Sequence, residues 1–174
     1  MHLTLTPGDI APALSFPRIS GKKFVLSEQK PEHFTLIMVY RGLHCPVCRK
    51  HLGQLDEILD DFSEAGINVV AVSMDDKQRA DEQHLEWPIE NLDVGYDLSR
   101  DMAKAWGLYL SGGERDGEPE VFAEPAHFAI RPDGVIQAVW YQNVSFGRPP
   151  FEYLLSGLKT IVERGMPIRG RWQG

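Results

Sequence analysis

Apolar residues along this chain fall into two alternating rhythms. Leu36, Ile37, Met38, Val39 and Tyr40 form an unbroken apolar run, the heart of a strand expected from about Phe34 to Tyr40. From Pro46 the spacing changes. Cys48, Leu52, Leu55, Leu59 and Phe62 recur three or four apart, with Lys50, Gln54, Asp56, Glu57, Asp60 and Asp61 on the wet face, which predicts one long amphipathic helix ended by Gly66. A second apolar run, Ile67 to Ser73, follows, and a strand–helix–strand unit of this kind pairs its strands in parallel with a right-handed crossover.

A helix from Lys77 to Glu86 is stopped by Trp87-Pro88, and Val94-Gly95-Tyr96-Asp97 reads as a brief strand. Ser99 can cap a helix through Met102, Ala103 and Trp106 that Gly107 closes. Residues 111–124 are polar and glycine-bearing and read as a loop of lid or interface type. Ala126 to Ile130, the turn Arg131-Pro132-Asp133-Gly134, and Val135 to Tyr141 form a hairpin. Pro149-Pro150 opens a last helix whose stripe is Phe151, Leu154, Leu155, Leu158, Ile161 and Val162, with Gly165 ending it. Ahead of all this, residues 1–33 are extended and turn-rich, with Ser20-Gly21-Lys22 between two short apolar segments as a hairpin. The order predicts an α/β fold, a central mixed sheet with helices on both faces.

Composition changes this picture little. At 174 residues, 43% hydrophobic and 25% charged, the chain reads as one globular domain over 1–174, with the hairpin of about 1–33 as an N-terminal extension. A formal net charge of -7 argues against nucleic acid or an anionic membrane as partner. The start, Met1 to Asp9, has neither a basic nor an apolar segment of a secretory leader, so a cytoplasmic location is expected. Two cysteines are too few to staple an extracellular fold, and in a reducing compartment a close pair is more plausibly catalytic.

That pair is the candidate chemistry. Cys45 and Cys48 lie in Cys-Pro-Val-Cys, at the junction of strand and helix. Free N–H groups and the helix dipole in a first helical turn stabilise a thiolate there, so Cys45 is expected to be nucleophilic near neutral pH. Pro46 suits the first helical position because its missing N–H costs nothing there. Arg41, His44 and Arg49 would add positive charge. Cys48, one turn on, can attack a mixed disulfide at Cys45 and release the product. A mixed zinc site completed by His44 and His51 is the competing reading, since an all-cysteine site needs a second pair. Asp75-Asp76 reads as a solvated helix start, and Asp56, Asp60 and Asp61 as solubility. Trp106, Tyr109, Trp140 and Tyr141 read as core or dimer face. No glycine-rich phosphate loop occurs, so no nucleotide or other cofactor is implied.

With Cys-x-x-Cys between the first central strand and a long helix, this order resembles the thioredoxin fold. Pro7-Gly8-Asp9-Ile10-Ala11-Pro12, Tyr40-Arg41-Gly42 before the dithiol, Val70-Ala71-Val72-Ser73-Met74-Asp75, and Phe128-Ala129-Ile130-Arg131-Pro132-Asp133-Gly134 resemble more narrowly the peroxiredoxin-like branch of the alkyl hydroperoxide reductase and thiol-specific antioxidant family. The resemblance spans roughly residues 5–165 and implies a three-layer thioredoxin-like fold. It implies a thiol–disulfide oxidoreductase with an antioxidant role, Cys45 and Cys48 catalytic, and Arg41, His44, Pro46 and Pro125 supporting. A thiol-dependent peroxidase with Cys45 peroxidatic and Cys48 resolving is the alternative. A thiol reductant of thioredoxin or glutathione type, a peroxide or disulfide substrate, and a homodimer are the implied partners.

The departures matter as much. Met38 and Gly42 stand where peroxide-reducing members carry a proline and a threonine or serine, and Pro125 where they carry an arginine. By resemblance to thioredoxin-like oxidoreductases, Glu124–Pro125 is expected to be cis, facing the dithiol. Arg148 would replace the lost guanidinium if its loop folds over the site; a helix-capping loop residue is the simpler account. A copper or zinc protein using Cys45, Cys48 and His127 is the contrasting class, with Pro125 and the alternation of His127 opposite Phe128 against it. A redox sensor for a partner also remains open.

Overall fold

The computed structural model describes residues 4–172; Met1 to Leu3, part of the segment read for a leader and of the expected domain, lie outside the described residues. The centre is β3 (Phe34–Val39), buried at every position. It pairs in parallel with β4 (Ile67–Val72) and antiparallel with β7 (Ala126–Ile130), which pairs antiparallel with β8 (Ile136–Tyr141), giving the sheet order β4-β3-β7-β8. An all-apolar strand in mid-sheet must be covered on both faces, and it is. Leu36, Met38 and Tyr40 face a layer of α1 (Pro46–Glu57), α2 (Leu59–Glu64) and α5 (Phe151–Glu163), through Leu52, Leu55, Phe62, Leu154 and Leu158. Ile37 and Val39 face the other way, onto Ala103 of α4 (Arg100–Ala105), Trp106 and the N-terminal hairpin of β1 (Ser15–Pro17) and β2 (Lys23–Val25). Phe16 and Phe24 stack across that hairpin with ring centroids 4.8 Å apart. The fold is the mixed α/β, three-layer arrangement that the residue pattern predicts.

Four expectations are corrected. The long first helix is broken at Ile58 (φ -117°, ψ 17°), where N–H bonds to Leu55 O and α2 restarts with Leu59 and Phe62 still facing the core. Residues 111–124 are not a plain loop. β5 (Leu110–Gly112) and β6 (Val121–Ala123) form an antiparallel ribbon that buries Phe122 and Ala123, a pattern too short for periodicity to reveal. The strand expected at 94–97 is reduced to bridges at Gly95 with Val72 and Arg18. No peptide bond among the described residues is cis, so Glu124–Pro125 is trans. The chain runs extended from β6 into β7, with Pro125 O accepting from Gln142 N (3.0 Å) and Glu124 directed to Ser111 and Arg41. Trans is the default that such a continuous strand keeps. The remaining helix, α3 (Lys77–Glu86), is capped by Asp76, whose carboxylate accepts from Arg79 N.

Candidate active site

β3 delivers the chain to Tyr40, whose hydroxyl donates to Gln83 of α3 (2.8 Å), and a tight loop then turns it into α1. Gly42 takes φ +117°, and its carbonyl accepts from Cys45 N (3.1 Å). Cys45 is the N-cap of α1, with extended backbone angles, and Pro46 follows in the first turn as expected. Cys45 Sγ accepts from Cys48 N at 3.2 Å, so the thiol does the work of a capping oxygen. Both cysteines are free and almost inaccessible, Cys45 1% and Cys48 0% exposed.

The pair is electrically asymmetric. Cys45 is lowered from 9.0 to about 6, first by donation from the Cys48 thiol, then by the Cys48 N–H and the charges of Arg148 and Arg41, against the opposing effect of burial. Cys48 is pushed well above its ordinary value by burial and by its role as donor to Cys45. Arg148, in the segment between β8 and α5, donates from Nη2 to Cys48 Sγ at 2.9 Å and stands 4.0 Å from Cys45 Sγ. Its Nε and Nη1 have no acceptor, and no carboxylate among the described residues forms an ion pair with it. The loop arginine therefore reaches the sulfurs; it does not merely cap a helix.

The other expected cations behave differently. Arg41 lies over the Phe122 ring (4.6 Å) and meets Glu118 and Glu124, each at 3.4 Å, the latter without hydrogen-bond geometry. His44 packs on the same ring (4.6 Å), and burial, then the charge of Arg41, hold it below its ordinary value. Burial there opposes the positive charge expected of it. Arg49 is exposed and donates to Glu86 O (2.9 Å), away from the sulfurs. Pro125 is buried where β6 meets β7.

On the far side of Arg148 lie two imidazoles. His51 stacks on Phe151 (4.1 Å) and meets His127 edge-on (6.0 Å). Burial, with the nearby Arg148 charge, lowers them to about 4 and about 3. His127 does lie opposite Phe128, but that is the face of α1 and α5, the dithiol side, and so alternation is no argument against its approach. Even so, the described residues contain no group of three or more His, Cys, Asp or Glu placed to hold a metal. A guanidinium occupies the position beside the sulfurs that a cation would need.

A profile of the AhpC/TSA family matches residues 7–139, most of the chain. The chain belongs to that family. A Mycobacterium tuberculosis (strain H37Rv) protein named as a peroxiredoxin, Rv2521, is 29% identical over 136 residues, covering 76% of this chain and 78% of that protein. A Pyrococcus furiosus protein named Peroxiredoxin is 25% identical over 171 residues, covering 90% and 76%. The crystal structure of Peroxidoxin BcpB from Mycobacterium tuberculosis superimposes with a TM-score of 0.71 at 18% identity over 90% of this chain and 98% of that one, a likeness of fold. Within the AhpC/TSA frame Met38 is an ordinary core residue of β3. The place a side chain at position 42 would take is filled by Asp75, which is 2% exposed and not the solvated helix start expected.

Proposed function

We propose that this AhpC/TSA member is a thiol oxidoreductase with an antioxidant role, Cys45 acting as nucleophile and Cys48 as the resolving thiol, and that a small hydroperoxide is its oxidant. The observation that supports this is a guanidinium without a carboxylate partner against an asymmetric, occluded thiol pair. The Cys45 thiolate attacks the terminal oxygen of the hydroperoxide; the S–O bond forms as the O–O bond breaks, and the departing alkoxide takes up a proton. Arg148 stabilises the negative charge that shifts from sulfur to oxygen, the task of a preorganised donor. The resulting sulfenic acid is attacked by Cys48 sulfur. The S–S bond forms, the S–O bond breaks, and hydroxide leaves with the Cys48 proton as water. An external thiol reductant, one dithiol of thioredoxin type or two thiols of glutathione type, reduces the disulfide and is itself oxidised to a disulfide.

Disulfide exchange is the second reading, favoured by the Cys-x-x-Cys spacing, with Cys45 attacking a disulfide in place of a peroxide. A trans Pro125 and 1% exposure of Cys45 speak for the smaller substrate. A cytoplasmic site of action, a homodimer, and a single functional domain with the N-terminal hairpin as extension go with this reading. It rests on cysteine usage and family analogy, and no helix among the described residues is long and apolar enough to cross a membrane. Stopped-flow mixing of the reduced protein with hydrogen peroxide, beside Cys45→Ser and Cys48→Ser, is the test, following tryptophan fluorescence and free thiols. Saturable thiol loss that requires Cys45 is expected. Loss no faster than that of a free thiol, with brisk exchange against disulfides, would move the protein to the second reading.

A further inference from the structure

Asp75 is the most deeply committed carboxylate beside the dithiol loop, yet it touches neither sulfur. A buried carboxylate needs partners to replace its lost hydration, so the partners of Asp75 show what it is held for. Oδ2 accepts from Leu43 N at 2.7 Å, and Oδ1 accepts from Arg79 Nε at 2.8 Å. Its own backbone is fixed as well, with N donating to Ser73 Oγ (3.2 Å) and O accepting from Asp97 N (2.8 Å). Arg79 is braced in turn on Gly117 O (3.2 Å), in the β5–β6 ribbon next to the Glu118 that meets Arg41.

Gly42 is the reciprocal half of this contact. A Cβ there would lie 2.3 Å from Asp75 Oδ2 and 2.7 Å from Cγ, and φ +117° is a conformation L side chains rarely adopt. The absent side chain makes room for the carboxylate, and the carboxylate holds the next N–H. Gly42 O and Cys45 N are joined by the following bond of the turn (3.1 Å). Arg79 and Asp75 are thus linked to the single turn that carries Leu43 and Cys45, and that turn sets where Cys45 Sγ lies relative to Cys48 N–H.

We propose that Asp75 is a positioning residue of the dithiol: its carboxylate occupies the side-chain place at position 42 and holds the Leu43 N–H, so that Cys45 caps α1. The role depends on Cys45 being the reactive thiolate of the function proposed above, but not on which oxidant it meets.

Charge and position have opposite signs here, which makes the role testable. Deleting a nearby negative charge lowers the midpoint of a thiol's ionisation; losing the cap raises it. The charged and titratable groups acting on Cys45 are Cys48 on α1, Arg148 before α5, and Arg41 in its own loop, where His44 packs on Phe122. The experiment is the pH profile of iodoacetamide alkylation of Cys45, in a Cys48→Ser background and in the intact dithiol, with thermal melts as the check of folding. Asp75→Ala raises the midpoint by about one pH unit, so that alkylation at pH 6 falls about fivefold. Asp75→Asn keeps an acceptor for Leu43 N–H and stays at or slightly below the parent midpoint. Gly42→Ala, which drives a methyl into the carboxylate, behaves as Asp75→Ala, and Gly42→Ala with Asp75→Gly stays as impaired, because it relieves the clash but leaves Leu43 N–H without its acceptor.

A parent-like or lowered midpoint in folded Asp75→Ala overturns the proposal, as does an Asn variant as impaired as Ala. If Asp75→Ala does not fold, a parent-like midpoint in folded Gly42→Ala overturns it equally. A parent protein whose Cys45 titrates like an ordinary thiol would instead defeat the proposed function itself.

Discussion

Arg41 and Arg148 reach the dithiol from separate loops and meet different company there. Arg41 is held by two carboxylates of the 111–124 region and by the face of Phe122, so its charge is shared with them and lowers Cys45 less than that of Arg148 does. Arg148 has two neutral imidazoles beside it, two donors without acceptors, and a sulfur at 2.9 Å. Arg41, four residues before Cys45 in sequence, was expected with His44 and Arg49 to add positive charge at the thiolate. Charge near a thiol matters only when nothing closer neutralises it. The residue remote in sequence is the one whose charge remains available.

The largest effect that would break this comparison comes from Arg148→Met. It should raise the alkylation midpoint of Cys45 and slow oxidation by hydrogen peroxide at pH 7 by about 100-fold, the lower end of the scale for removing one preorganised donor. Arg148→Lys should recover only part of this, because a point charge does not reproduce the planar fork. If Arg148→Met loses less than twofold in stopped-flow rates, the two arginines are equivalent and the contrast fails.

Acid stability gives the next effect. His51 and His127 titrate at about 4 and about 3 in the folded chain, against 6.5 unfolded. As pH falls below 6.5, the unfolded chain takes up protons that the folded chain refuses, so stability drops as pH is lowered towards 4. Cys45, about 6 folded against 9.0 unfolded, acts in the same direction: its stabilising contribution is complete above pH 9 and is lost as pH falls through about 6. Urea midpoints of the reduced protein should therefore decline from pH 9 to pH 4. His127→Leu should flatten the lower part of that curve, and Cys45→Ser the upper part. A slope unchanged by His127→Leu would mean that the imidazoles beside Arg148 are not held neutral.

Arg41→Met is expected to be the milder arginine loss, changing Cys45 alkylation by about threefold or less, since its charge is already matched. The smallest effect sharpens the contrast. Glu124→Gln should free part of the Arg41 field and lower the Cys45 midpoint by a few tenths of a unit, read in the same alkylation profile. A rise there would mean that Glu124 serves mainly to place Arg41.

Much of this was legible in the residues. Leu36 to Tyr40 as a buried strand, the apolar face of Cys48, Leu52 and Leu55, the Ser99 cap and the hairpin at 131–134 all appear where local pattern puts them. The cysteine pair at the strand–helix junction also needed no tertiary information, because a helix N-terminus acts through its own backbone. Asp56 shows where this stops. It reads as a solvated residue of an amphipathic helix, yet its carboxylate accepts the N–H groups of Glu90, Asn91 and Leu92 at 2.7 to 3.0 Å. Asp75 shows the same thing more sharply, since its partner is the absence of a side chain at Gly42.

The sequence by itself determined the order of the main elements, the layered sheet and the place of the dithiol at the strand–helix junction, since each depends on periodicity or on bonds within a few residues. Only the tertiary structure decided which cation meets the sulfurs, that His44 is held below its ordinary pKa, that Pro125 is trans, and that His51 and His127 lie beside Arg148. Those outcomes depend on which distant groups share a low-dielectric space. Charge acts through that space at distances of a few ångströms, whatever the separation along the chain.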